Sequence, residues 1–271
     1  MNDMFLSTRN GHTYIIAELG QNHQGSVDLA KALIDMAAMK VEHNGIELPG
    51  VDAVKLTKRD MTDEMTESSK HMPYGGRNAF AETYGAHRMM LELHYSDHVQ
   101  LCKYAHAQGL QFVETICSRM ALELLMNAGL EPDYIKLASR DLSNTPLVDM
   151  MAETKLPLIL STGMSSFQDI AETVERICKV HRNITVLHCT STYPARYDEL
   201  YMVTLHSYAK QWGDIAIGYS DHTTGVLAPA IAVACGAQVV EKHITLHHSM
   251  KGTDHAGSMD HEGLYRVVRD I

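Results

Sequence analysis

The chain has 271 residues, 45% hydrophobic and 21% charged, a composition that excludes wholesale disorder, collagen-like repeats and low-complexity scaffolds. With 33 acidic against 23 basic residues its formal charge is −10, and no Lys/Arg cluster offsets it, which disfavours nucleic acid and acidic membrane surfaces as partners. No run of eighteen apolar residues occurs, MNDMFLSTRNGH at the N-terminus has no basic segment leading into an apolar one, and the five cysteines are widely spaced without a CxxC. The expectation is a cytoplasmic protein in a reducing compartment, with neither a disulfide framework nor a zinc ribbon.

Short apolar, β-branched runs recur along the chain with segments of helical period between them. A strand over Thr13–Glu18 precedes a helix over Ser26–Met39, in which Leu29, Ala30, Leu33, Ile34 and Ala37 follow the i, i+3, i+4 rule and Ser26 stands as N-cap. The second strand, Ala53–Thr57, leads into one unusually long connection, Lys58–Leu93. It is too polar for core and reads as a functional lid or a mobile segment. Strands follow at Gln111–Thr115, Tyr134–Leu137, Pro157–Ser161, Thr185–Cys189, Ile215–Ser220 and Val239–His243. They alternate with helical patterns over 94–108, 119–127, 145–154, 166–179, 198–211, 225–235 and 261–271. Gly109 and Gly129 sit where C′ glycines close helices. Near-continuous apolar strands are those of a parallel sheet covered on both faces. Eight strand–helix pairs predict a (β/α)8 TIM barrel as a single domain over 1–271. An open doubly wound sheet is the alternative, weakened by the absence of GxGxxG after the first strand.

A barrel of this kind carries its active site at the C-terminal strand ends. There the sequence places Glu18, Lys55, Thr115, Lys136 with Ser139, Ser161, His188 with Ser191, Ser220 with His222, and Glu241 with His243. Charges are costly at a partly buried mouth unless paired or bound. Lys55 and Lys136 with the surrounding hydroxyls suit a dianionic ligand carrying phosphate and carboxylate; the competing reading is that each lysine pairs with a barrel glutamate, Glu18 or Glu241. His222 and His243 end adjacent strands and could share one divalent metal, leaving positions for water and substrate oxygen. Asp221 is read either as a partner orienting His222 or as a helix N-cap.

The segments IIAELGQNHQGS (15–26), DAVKLT (52–57), YIKLASRDLSNTPL (134–147), LILSTGMSS (158–166), LHCTSTYP (187–194), IGYSDHT (217–223), VVEKHITL (239–246) and GTDHAGSM (252–259) occur in order over nearly the whole chain. Together they closely resemble the sialic acid synthase family, the phosphoenolpyruvate-condensing N-acetylneuraminate and nonulosonate synthases. The resemblance implies a metal-dependent condensation of phosphoenolpyruvate with an open-chain 2-acetamido sugar such as N-acetylmannosamine, releasing phosphate. It implies that Lys55, Thr115, Lys136, Ser139, Ser161, Ser191 and Ser220 hold phosphoenolpyruvate, with Glu18, Lys55 and Lys136 in the catalytic set and Glu18 as acid or base. His222 and His243 then match the metal ligands, for manganese or alternatively magnesium or cobalt, and Tyr193 and Asp254 the sugar-binding pair. Departures are Ser191 where the family usually has Asn, Arg140 for a usual Gly, and the added charges of Lys58 and Arg59. The chain also stops at Ile271, where many relatives continue into an antifreeze-protein-like domain that reaches across a dimer and supplies an arginine. The expectations therefore include a homodimer and a separately encoded cap-domain partner. Two other readings stand beside this one: a phosphoenolpyruvate-dependent ulosonate synthase for another, phosphorylated, aldose, and a non-catalytic phosphoenolpyruvate-binding barrel.

Overall fold

The eight long apolar runs pair in parallel into one closed barrel. In this computed structural model, which describes residues 11–271, the barrel strands are β1 (Tyr14–Gly20), β4 (Ala53–Lys58), β5 (Gln111–Ile116), β6 (Tyr134–Leu137), β7 (Leu158–Ser161), β8 (Ile184–Cys189), β9 (Ala216–Asp221) and β10 (Val239–His243). Pairing of β1 with both β4 and β10 closes the ring. That closure excludes the open-sheet alternative. The sequence reading of residues 1–10 lies outside the described residues.

Inside the ring, side chains follow the two-residue period of a strand. Tyr14, Ile16, Ala53, Val113, Tyr134, Ile159, Leu187 and Val239 form a compact inner core. The intervening residues, such as Ile15, Ala17, Leu19, Val54, Leu56 and Phe112, face outward into a second apolar layer beneath the helices. One step further along the inward-facing series come Glu18, Lys55, Thr115, Lys136, Ser161, Ser220 and Glu241, all buried. The same parity that fills the barrel floor with apolar side chains thus sets a polar layer directly above it.

The helices fall close to the predicted segments. Helix α1 (Val27–Ala37) buries Ala30, Leu33 and Ile34, and the Leu29 N–H donates to Ser26 Oγ at 3.3 Å, a cap worth about 1 kcal/mol. Gly109 and Gly129 take φ of +82° after α5 (Tyr95–Ala107) and α6 (Arg119–Asn127).

Three expectations change. A hairpin of β2 (Val41–His43) and β3 (Ile46–Leu48) joins the predicted elements; Asn44 and Gly45 both adopt positive φ, the Asn-Gly signal of a two-residue turn. The long connection is not a structureless lid. It holds α2 (Met61–Glu64), α3 (Glu67–Lys70) and α4 (Tyr84–Met90), and it buries Met61, Leu91 and Leu93. The helix expected over 198–211 begins only at Thr204, forming α9 (Thr204–Gln211), because Tyr201 at φ +45° cannot continue a right-handed helix.

Gly218 on β9 shows how tightly the inner core is filled. A Cβ there would lie 2.4 Å from the Val239 carbonyl oxygen and 2.6 Å from Leu187 Cδ2. Gly218→Ala is therefore expected to destabilise the fold by about 2–3 kcal/mol, read as a lower denaturant midpoint with unchanged m-value; an unaltered midpoint would show that the barrel interior can relax.

Candidate active site

Strand register brings the polar layer together. Glu18 lies opposite Lys55 on β4 and His243 on β10, Thr115 opposite Lys136, and Ser220 opposite Glu241. Lys55 Nζ stands 2.5 Å from Glu18 Oε2 and 3.8 Å from Glu241 Oε1, and donates to Thr115 Oγ1 at 2.9 Å. Lys136 pairs closely with Glu241, whose Oε1 also accepts from Ser220 Oγ at 3.0 Å. Two lysines and two glutamates thus form a single buried net. Each lysine is paired with a barrel glutamate, as the competing reading has it, and each also lines the cavity above.

That cavity, about 460 Å³, is lined by every predicted site residue except Tyr193 and His188. Several of its polar atoms find no protein partner: the Ser161 and Ser191 hydroxyls, Glu241 Oε2 and His243 Nδ1 are buried and unbonded among the described residues. A folded protein ordinarily satisfies such groups, so four unsatisfied ones around a single cavity are what a binding site without its ligand would show. Ser139 accepts from the Gly163 N–H at 3.0 Å. Gly163 has no room for a side chain, since a Cβ would fall 2.0 Å from Ser191 Oγ.

Electrostatics divides the net. Burial, reinforced by the charge of Glu241, pushes the Glu18 carboxyl above its ordinary range despite Lys55. Against the same burial, Lys136 and Lys55 hold Glu241 ionised, well below that range. Two carboxyls one strand apart thus have opposite tendencies, the arrangement expected when one exchanges protons and the other stays charged. Burial lowers His243 to about 4, so its imidazole is neutral at pH 7.

The His222 and His243 ring centres are 6.1 Å apart, and the Tyr193 ring lies 5.3 Å from each. His222 Nδ1 donates to the Thr190 carbonyl at 2.8 Å, which leaves Nε2 as the nitrogen able to ligate, with Cys189 Sγ 3.9 Å away. Tyr193 turns its hydroxyl away to the Asp254 carbonyl at 3.0 Å. It therefore packs edge-on against both imidazoles and reaches Asp254 without itself lining the cavity. Neither reading of Asp221 survives: it is buried against Lys242 Nζ at 2.6 Å and accepts from the Thr223 N–H at 2.9 Å, fixing the β9 turn rather than touching His222. His188 likewise leaves the site, bonding the Leu200 carbonyl at 2.6 Å.

With this geometry in view, the relationship to known proteins is clear. Residues 45–271 match the NeuB family model. The chain belongs to the NeuB family. It is 33% identical to the human N-acetylneuraminate-9-phosphate synthase over 95% of this chain and 69% of that one. It is 34% identical to the N,N'-diacetyllegionaminic acid synthase of Legionella pneumophila, over 95% and 71%. The crystal structure of the N-acetylneuraminic acid synthetase from Leptospira borgpetersenii superimposes with a TM-score of 0.78 at 27% identity, covering 96% of this chain and 83% of that one. This NeuB-family chain is a synthase built on one closed barrel, and none of its described helices is long and apolar enough to cross a membrane.

Sequence reasoning missed part of the enzyme's rim. Gln21, Tyr84 and Arg88 line the cavity with Arg59 and Arg140; Tyr84 and Arg88 come from α4, inside the connection read as a lid. Its length alone was the signal. The departures at Lys58, Arg59 and Arg140 add less free charge than expected. Lys58 donates to Glu92 at 3.2 Å and to the Leu93 carbonyl at 2.6 Å, while Glu64 accepts from Arg59 Nε at 2.9 Å and from Arg140 Nη1 at 2.6 Å. Removing this shared, half-buried carboxylate leaves Arg59 uncompensated and Arg140 with Asp141 alone. Glu64→Gln should cost about 2–3 kcal/mol of folding stability, seen in equilibrium unfolding; a cost under about 0.5 kcal/mol, the size of an ordinary surface change, would mean that solvent already carries these charges.

Proposed function

We propose that this enzyme condenses phosphoenolpyruvate with the open-chain aldehyde of a 2-acetamido sugar, N-acetylmannosamine or a relative, to give a nonulosonic acid and inorganic phosphate. The observation that carries the reading is the set of unpartnered Ser161, Ser191, Glu241 and His243 atoms that line one cavity together with Lys55 and Lys136. The names of the human and Legionella relatives agree with it.

Phosphoenolpyruvate brings a carboxylate and a phosphate. Lys55 and Lys136 supply compensating charge, and the Ser139, Ser161, Ser191, Ser220 and Thr115 hydroxyls supply directional donors. Carbon 3 of phosphoenolpyruvate attacks the aldehyde carbon and forms the new C–C bond, and the aldehyde oxygen takes up a proton. Water adds to the cationic carbon 2, and cleavage of its bond to the bridging oxygen expels phosphate, leaving the 2-keto acid. Glu18, its carboxyl raised by burial, would take the proton of the adding water or protonate the aldehyde oxygen. Asp254 lines the same cavity beside His243 and would hold sugar hydroxyls, with Tyr193 keeping both imidazoles and the Asp254 backbone in place.

His222 and His243 fit a divalent ion, manganese being our choice: His222 keeps Nε2 clear of any nitrogen or oxygen partner, and His243 Nδ1 is buried and unbonded. No group of three such ligands occurs among the described residues, so the site suits an open coordination sphere completed by water and substrate. Bound there, the ion would polarise the aldehyde carbonyl. The reading also includes a cytoplasmic setting and a homodimer.

Phosphate release with manganese, phosphoenolpyruvate and a panel of free and phosphorylated aldoses tests the reaction. Turnover should require an acceptor, and none with any acceptor despite phosphoenolpyruvate binding would leave only a binding barrel. His222→Ala and His243→Ala should each abolish activity while the protein stays folded; an active metal-stripped variant would refute the metal assignment. Because Ser161 Oγ has no protein partner, Ser161→Ala should leave the ligand-free melting curve in place yet weaken phosphoenolpyruvate binding by about tenfold. Equal losses in both would assign that hydroxyl to folding.

A further inference from the structure

Three carboxylates line the cavity: Glu18, Glu241 and Asp254. The first two are tied to Lys55 and Lys136. Asp254 is different. Among the described residues no lysine or arginine pairs with it, and its Oδ1 accepts from the neighbouring Thr253 hydroxyl at 2.7 Å. A carboxylate accepts without donating, so its remaining lone pairs suit the hydroxyls of a sugar. Asp254 stands, however, on the irregular segment between β10 and the final helix (His261–Asp270). Its aim depends on what fixes that backbone.

Two sets of bonds do so. On one side the Asp254 carbonyl accepts from the Tyr193 hydroxyl at 3.0 Å and from Ser258 Oγ at 2.7 Å, and Ser258 Oγ accepts in turn from Asn22 Nδ2 at 3.0 Å. On the other side is His255, the next residue in the chain, 1% exposed. Its Nδ1 lies 2.7 Å from Thr245 Oγ1 and its Nε2 3.2 Å from Gln24 Nε2, 231 residues away in sequence. Gln24 Nε2 also donates to the Lys251 carbonyl at 2.7 Å, which sets the amide with its nitrogen towards the ring. His255 Nε2 therefore accepts, and the ring proton is on Nδ1. Thr245 Oγ1 receives it and donates its own hydrogen to the His247 carbonyl at 3.1 Å. Burial lowers the His255 pKa and so favours this neutral ring. Gly252 completes the enclosure, since a Cβ there would fall 2.8 Å from His255 Cδ2.

One imidazole thus ties the segment after β1 and the segment after β10 to the residue beside Asp254. Gln24, Thr245 and His255 do not themselves line the cavity. Any effect they have on a bound sugar passes through a residue that does.

We propose that His255 is a positioning residue: clamped between Gln24 and Thr245, it aims the Asp254 carboxylate at the hydroxyls of the acceptor sugar. The proposal rests on the condensing reading above and adds to it a network outside the cavity that governs acceptor binding.

The test is initial-rate kinetics on the full chain with manganese, phosphoenolpyruvate and N-acetylmannosamine, or the aldose of the panel that the wild type turns over fastest. His255→Ala should raise KM for the acceptor about tenfold and leave KM for phosphoenolpyruvate within about twofold. His255→Asn, whose amide still reaches Thr245 but not Gln24, should fall between the two. Asp254→Ala should raise the acceptor KM at least as far, and adding His255→Ala to it should cost under about twofold more, because the ring acts only through that carboxylate. Gln24→Met removes one arm of the clamp and serves if His255→Ala does not fold. An unchanged acceptor KM, a parallel rise for phosphoenolpyruvate, or losses that multiply in the double variant would overturn the positioning role and leave the condensing reading intact. A wild type inactive with every aldose would instead sink the condensing reading, and the positioning role with it.

Discussion

The structure turns on a buried net of four charges, Glu18, Lys55, Glu241 and Lys136, set across the top of a sealed barrel. Charges removed from water are costly, and mutual pairing offsets that cost only partly. A net kept at the floor of a cavity, with Glu241 Oε2 and the Ser161 hydroxyl unbonded beside it, is poorly explained as a stabilising device. It is well explained as a preorganised electrostatic surface whose remaining bonds a polyanionic substrate completes.

Everything below the net serves to hold it level. Strict inward and outward alternation puts Tyr14, Ile16, Val113, Tyr134, Ile159, Leu187 and Val239 beneath it, and parallel register aligns Glu18 with Lys55 and Ser220 with Glu241. A shift of one residue in any strand would turn its polar group out of the barrel. Outside the ring, the Asp221–Lys242 pair ties β9 to β10 next to His222 and His243.

Much of this is legible in the sequence. Apolar runs of strand length, interrupted by helical periods and C′ glycines, specify the barrel because each is a local pattern. Once a barrel is assumed, the residue at each strand end is placed at one mouth, which is why Glu18, Lys55, Thr115, Lys136, Ser161, Ser220, Glu241 and His243 can be gathered from strand positions alone. What stays hidden depends on contacts between distant segments. Glu64 serves both Arg59 and Arg140, 76 residues away, and no local pattern announces that. Arg88 looks like an ordinary helical arginine until Gln21 is found against it. Asp221 suggests a partner for His222 because they are neighbours in sequence, but strand geometry sends successive side chains to opposite faces.

The most direct test of the account is a crystal structure of the enzyme with manganese and phosphoenolpyruvate. The account predicts the carboxylate and phosphate against Lys55 and Lys136, with the Ser161 and Ser191 hydroxyls now bonded to the ligand and metal density between His222 and His243. Phosphoenolpyruvate bound elsewhere, with those hydroxyls still unpartnered and the four-charge net untouched, would contradict it.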